Sequence, residues 1–262
     1  MTVGGVGRAA VAPWFGARDL LRSRLSHKQA SDLGDAFARF APLPLQRACE
    51  RAFDFPIAKI VRGTPLLLIR IPKTASVSLA LQVYGQVSHV PHRSAAFYRD
   101  ADPDFFARAT SFAMVRDPWE RAASAYRWLR GCGNDLAAPD RRGRAAVAGV
   151  DSFERFVLDV LEPMAASGRL RHLDPVLHRQ CDYVCDAEGR VIVDHLFRLD
   201  HMAEVQAFLA ANGVSGGEVR ANATERAGGG GQDASQAVLG ALGQVYADDA
   251  ALFGYGPPGC GP

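Results

Sequence analysis

The residues best suited to chemistry lie in one short run, Pro72-Lys73-Thr74-Ala75-Ser76-Val77-Ser78. A single lysine leads a group of hydroxyl and small side chains, a combination that serves an anion. What flanks the run decides what it can do. Before it, Leu66-Leu67-Leu68-Ile69 is an apolar block between Pro65 and Pro72. It is too short for a core helix and reads as a buried strand. After it, Val77, Ala80, Leu81 and Tyr84 recur at helical spacing. A strand, a tight turn and a helix start gather several backbone N–H groups at one point, where the helix dipole adds positive potential, so the point suits a phosphate. Lys73 adds a full charge there, and Thr74, Ser76 and Ser78 add hydroxyl donors. The run is not a Walker A loop, which needs glycines and a lysine directly before Ser or Thr. Here no glycine is present and the lysine leads, which argues against a Mg²⁺-dependent NTPase.

A second run has related architecture. Ser111 to Val115 reads as another apolar strand, followed at once by Arg116-Asp117-Pro118-Trp119-Glu120. Asp117 suits an N-cap, Pro118 the first helical position, and Glu120 the far end of a capping box. Trp119, Ala122, Ala123, Tyr126 and Leu129 then form the inward face of a helix, with Arg121, Arg127 and Arg130 expected in solvent. Arg116 stands where strand gives way to helix, the ligand edge of an open parallel sheet, and Ser124 lies two turns on. Between the two runs, His89 and His92 sit in a polar loop around Pro91. Either imidazole can hold and release a proton near neutral pH and serve as a general base.

The rest of the chain bounds the reading. Its 262 residues suffice for one α/β domain, and a 48% apolar and 22% charged composition is that of a soluble globular protein. A net charge of +2 gives no general argument for nucleic acid, and no apolar run approaches the ~20 residues that span a bilayer. Met1 to Phe15 lacks the basic–apolar–cleavage order of a signal peptide, and five irregularly spaced cysteines fit reduced thiols in the cytoplasm. Residues 1–62 read as a helical preface with a basic excess, broken near Pro42 and Pro44. Beyond Leu129, Gly131 to Gly149 reads as loop, and Phe153, Phe156, Val157, Val160 and Leu161 as the inward face of a helix ending near Pro163. Val191-Ile192-Val193 and His195 to Leu199 read as extended, and Asp200 as the cap of a helix with Val205, Phe208 and Leu209 inward. A last helix is expected from about Ala234 to Tyr246. His178, Cys181 and Cys185 offer three metal ligands without a fourth, so no metal is expected.

Two of these runs together carry a resemblance. Ile71-Pro72-Lys73-Thr74-Ala75-Ser76-Val77-Ser78-Leu79 resembles the 5′-phosphosulfate loop of the sulfotransferases, and Val115-Arg116-Asp117-Pro118 to Tyr126, with Ser124 eight residues after the arginine, resembles their 3′-phosphate motif. The likeness is nearest to the family-2 branch, which includes carbohydrate O-sulfotransferases and many bacterial proteins. Gln180-Cys181-Asp182-Tyr183, Asn222 to Arg226 and Leu252-Phe253-Gly254-Tyr255 follow in the order such proteins show, so the resemblance spans roughly residues 66–255. The chain departs from the family at Ala75 and Val77, where Gly or Ser-Thr are frequent, at Arg70, where His is common, and at Arg179.

The resemblance implies an α/β fold of P-loop-like type, a three-layer sandwich with a central parallel sheet flanked by helices, over residues 63–262. It implies transfer of the sulfuryl group of 3′-phosphoadenosine 5′-phosphosulfate to a hydroxyl of a carbohydrate or glycolipid in the cytoplasm, with no nucleic acid, membrane span or metal. Lys73 would neutralise the leaving phosphate. The backbone from Thr74 through Ala75 and Ser76 to Val77, with the hydroxyls of Thr74, Ser76 and Ser78, would hold the 5′-phosphate. Arg116 and Ser124 would hold the 3′-phosphate, and His92, or second His89, would be the base. Asn222, Thr224 and Arg226 would form a lid on the cofactor side. Two alternatives stand beside this: a P-loop-like nucleotide kinase, and a glycan-binding protein that kept the fold without activity.

Overall fold

The computed structural model describes residues 57, 59–87, 90–131, 143–170, 174–214 and 235–256. His89, Asn222, Thr224 and Arg226, and nearly all of the helical preface, lie outside the described residues. Among the described residues the chain is mixed α/β, built on a three-stranded parallel sheet in the order β1-β2-β3. The strands are β1 (Leu66–Ile69), β2 (Thr110–Val115) and β3 (His195–Arg198). Leu66 pairs with Thr110 and Ile69 with Ala113, and on the other side Phe112 pairs with His195 and Val115 with Arg198. All four residues of β1, and all of β2 after Thr110, are buried. A strand apolar on both faces needs cover on both, which is why these two read as unbroken apolar runs.

The helices supply that cover. A short helix α1 (Lys59–Arg62) precedes β1; its Val61, and Ile57 ahead of it, are buried in the core. Helix α2 (Ser76–Tyr84) returns over β1, α3 (Ala95–Ala101) and α4 (Pro103–Arg108) lead into β2, and α5 (Pro118–Gly131) leaves it. The buried side of α2 centres on Leu79, Ala80 and Tyr84, while Val77 and Leu81 are only half-buried. Tyr84 does more than pack. Its hydroxyl accepts from Leu68 N (2.8 Å) and donates to Leu66 O (3.2 Å), satisfying the edge of β1 turned away from β2. An exposed row of such groups would invite pairing with another chain.

The second half closes around α5. Helix α6 runs as Phe153–Arg155, a π-turn over Phe156–Leu161, and Glu162–Ala166. The expected amphipathic helix is therefore present but widened. The widening comes directly before Pro163, whose ring in a regular helix would meet the carbonyl four residues back. Helix α7 (Cys181–Val184) and β3 follow, then α8 (Met202–Ala211), α9 (Gln236–Val245, capped by Ser235) and α10 (Ala247–Phe253). Three expectations need correction. Of Val191 to Val193, only Val191 pairs, in a lone antiparallel bridge with Cys185. Asp200 does not cap α8: it pairs with Arg198 (2.8 Å), and His201 takes the N-cap position after a 3-10 turn. Arg121 is not in solvent but 1% exposed, its guanidinium donating to the carbonyls of Val176 (3.2 Å) and His178 and lying over the Tyr246 ring. A guanidinium can be buried where carbonyl oxygens and a ring face meet its donors and its plane. Arg127 is half-buried, and Arg130 alone of the three is exposed.

Candidate functional site

The lysine turn leaves the C-terminal end of β1 and the arginine turn that of β2, so pairing of these adjacent parallel strands brings both to one edge of the sheet. The lysine turn is strained. Lys73 (φ 67°) and Ala75 (φ 58°) are the non-glycine residues at positive φ among those described. A side chain in this region costs about 1–2 kcal/mol per residue, and such strain is stored where backbone geometry matters more than ease of folding. Thr74, fully buried, donates its hydroxyl to Ile71 O at 2.9 Å and so closes the turn from within. Ala75 is the N-cap of α2 and has no side-chain acceptor to offer. The helix thus begins without a side-chain cap, next to a lysine, with Ser76 and Ser78 buried in its first turn. Alternating handedness in a turn that opens onto an uncapped helix makes a concavity of N–H groups fit for an anion.

The arginine turn is built differently. Asp117 Oδ1 accepts from Trp119 N and Glu120 N, each at 2.9 Å, so this helix start is capped. Burial holds the Asp117 carboxyl above its ordinary range, opposed by those two bonds. Glu120 turns its carboxylate to the Arg116 guanidinium (3.0 Å), with the arginine side chain 20% and the glutamate 62% exposed. The Arg116 backbone is clamped by a fully buried amide: Gln180 Oε1 accepts from Arg116 N (2.9 Å) and Gln180 Nε2 donates to Arg116 O (2.8 Å). Gln180 is itself fixed from behind. Asp249, also fully buried, accepts from Gln180 N and Cys181 N, each at 2.8 Å. Its carboxyl is pushed up by burial, with the Arg121 charge and these N–H bonds acting against the push. Asp249, Gln180 and Arg116 form one relay from the interior to the rim. The sequence had flagged Gln180 only as part of a motif and Asp249 not at all; a lone Asp-Asp pair at 248–249 on a helix gives no outward signal of burial.

The lysine turn also reaches α5. Lys73 Nζ lies 5.5 Å from the centre of the Trp128 ring. Trp128 stands one helical turn past Ser124, which is 4% exposed, on the helix that Arg116 precedes. The lysine turn therefore touches the C-terminal half of α5, the helix whose start the arginine turn forms. His92 joins from the first turn. Its Nδ1 donates to Arg70 O at 2.8 Å, so the neutral ring carries its hydrogen on Nδ1 and leaves Nε2 unprotonated. Burial first, then the Arg70 and Lys73 charges, lower its pKa from the ordinary 6.5 to about 4, against the bond to Arg70. At neutral pH the ring is uncharged.

Ser76, Val77 and Ser78 occupy the first turn of α2 as expected, whereas the Thr74 hydroxyl is spent on the turn itself. A concavity of about 450 Å³ lined by Trp119, Gln236, Leu239, Gly240, Gly243 and Tyr255 borders the arginine turn through Trp119 and contains none of the candidate side chains. Among the described residues no group of His, Cys, Asp or Glu is gathered to hold a metal, and no helix is long and apolar enough to cross a membrane. Comparisons with protein-family models, curated proteins and solved structures find no match.

Proposed function

We propose that the chain is a sulfotransferase moving the sulfuryl group of 3′-phosphoadenosine 5′-phosphosulfate to a hydroxyl of a carbohydrate or glycolipid. The fold proposed with it is the P-loop-like three-layer sandwich, working in the cytoplasm. The observation that carries the reading is that the two turns leave the same end of adjacent parallel strands, with Lys73 against Trp128 of the helix that the arginine turn begins. One diester-like phosphate and one monoester phosphate of a single nucleotide match a backbone cradle and a guanidinium respectively. The strained, uncapped turn supports the fit, since its N–H groups are presented without a competing side-chain cap.

The donor supplies the sulfuryl group, whose bond to the bridging oxygen breaks as the acceptor oxygen bonds to sulfur. Lys73 meets the charge that collects on the leaving phosphate. The N–H groups of Thr74 to Val77 hold the 5′-phosphate, and the Arg116 guanidinium with the Ser124 hydroxyl holds the 3′-phosphate. His92 Nε2 takes the acceptor's hydroxyl proton. An anion entering beside Arg70 and Lys73 offsets their charges and raises the basicity of His92. His89 remains the second choice of base, and Asn222, Thr224 and Arg226 the proposed lid.

Transfer of labelled sulfate from the donor to native extracts, then to purified glycans and glycolipids, tests the reading. Lys73→Ala and Arg116→Ala are each expected to lose at least about 10²-fold in transfer with an unchanged circular dichroism spectrum. Full activity in both variants would reject the assignment.

A further inference from the structure

Arg70 is hard to explain as a stabilising residue. It is 6% exposed, and among the described residues it has no carboxylate partner and its buried Nε no acceptor. Burial pulls its pKa below the usual guanidinium range. An unsatisfied donor on a buried cation is costly, and a well-packed apolar side chain would serve the core better. What the residue does hold is the segment that carries His92. Its guanidinium Nη1 donates to the carbonyl of Val90 and, at 3.4 Å, to that of Val87. Its own carbonyl accepts from His92 Nδ1 at 2.8 Å. Arg70 thus grips the loop ahead of the histidine with its side chain and the imidazole with its main chain.

We propose that Arg70 is the positioning residue of the base, fixing the tautomer of His92 through its carbonyl and fixing the loop that delivers it through its guanidinium. The inference rests on the sulfotransferase reading only for the name of the reaction; the arrangement itself is a property of the folded chain. It deepens that reading by adding a residue that acts through His92 and touches no substrate. Among the described residues the groups facing this corner are few. Arg70 and Lys73 come from the β1–α2 side; Tyr84 of α2 and Tyr98 of α3 face the Arg70 guanidinium, and Arg93 just before α3 acts on Tyr98. Arg93 is turned onto the Phe97 ring at 4.6 Å, and burial pushes the Tyr98 hydroxyl up to about 12 and the Tyr84 hydroxyl higher still. The phenols are therefore neutral at working pH, and among the described residues Arg70 and Lys73 are the charges acting on His92. Burial first, and then the Arg70 charge, holds the His92 pKa down.

The test is the histidine spectrum of the full chain, labelled with ¹⁵N at the imidazole, in wild type, Arg70→Gln and Arg70→Lys. Glutamine keeps an N–H donor for the two carbonyls and removes the charge; lysine keeps the charge. Wild-type His92 is expected as the Nδ1–H tautomer, titrating well below the ordinary imidazole value. Its midpoint should rise by about one pH unit in Arg70→Gln, the shift a like charge at close range produces, and stay low in Arg70→Lys. The acid limb of the kcat profile should move with it. An Nε2–H tautomer in wild type would overturn the proposal, as would the same midpoint in wild type and folded Arg70→Gln. The wild-type tautomer decides even if a variant does not fold. Absence of sulfuryl transfer would sink the function while leaving the titration readable.

Discussion

The turn after β1 holds two non-glycine residues at positive φ and opens a helix whose N-cap has no polar side chain. The turn after β2 has a carboxylate on its helix start and a buried amide on both polar groups of Arg116. In the first, backbone N–H groups are what is presented, and the chain accepts strain to present them. In the second, the backbone is satisfied internally and the guanidinium is what is presented. Under the proposed function, the contrast teaches that two anion sites on one sheet edge can be made by opposite means, and it says which residue types each can lose. Apart from the Lys73 charge and the Thr74 hydroxyl that closes it, the lysine turn should tolerate side-chain change and resist backbone change. The arginine turn should depend on a relay of side chains reaching back to Asp249.

The sharpest way to break the comparison is at the relay. Gln180→Leu leaves Arg116 N and O without partners near the end of β2, and is expected to cost about 3 kcal/mol of stability and to weaken nucleotide binding. Urea denaturation and calorimetric titration would show both, and a variant as stable as wild type would mean that the clamp is ornamental. A smaller effect sharpens the other side. Ala75→Gly removes the side chain from a left-handed N-cap and should stabilise the protein by about 1 kcal/mol, read from the same denaturation curves. A loss of stability there would argue that the turn is not strained as described. The smallest effect concerns charge. Glu120→Gln releases Arg116 from an exposed ion pair worth under about 1 kcal/mol, so an anionic nucleotide should bind up to about fivefold more tightly. Unchanged or weaker binding would show that Glu120 orients the guanidinium and does not compete for it.

Much of the site's scaffolding was legible in the sequence because it depends on local rules. Leu66 to Ile69 is apolar throughout and is a doubly covered strand; Asp117-Pro118 caps and starts a helix; Trp119, Ala122, Ala123, Tyr126 and Leu129 all face inward. What escaped depends on partners distant in sequence. The carbonyls of Val176 and His178 bury Arg121, and Asp249 reaches Gln180 across 69 positions. Asp200 reads as a cap by type and place, yet Arg198 two residues earlier takes its carboxylate. Thr74 reads as a ligand donor, yet the turn needs its hydroxyl to close. Positive φ at Lys73 and Ala75 left no trace because the residue type that would announce it, glycine, is missing. A sheet of three strands among the described residues establishes the parallel α/β core, and the wider sandwich remains part of the proposal.

The central claim is that both turns grip one nucleotide, and binding of adenosine 3′,5′-bisphosphate tests it most directly. Titration calorimetry without divalent metal, on wild type, Lys73→Ala, Arg116→Ala and the double variant, reads the two turns separately and together. The account predicts metal-independent binding by wild type, at least about tenfold weaker in each single variant, the loss of one charge-assisted contact, and none measurable in the double variant. Binding that needs Mg²⁺ and prefers ATP, or that ignores either substitution, would contradict it.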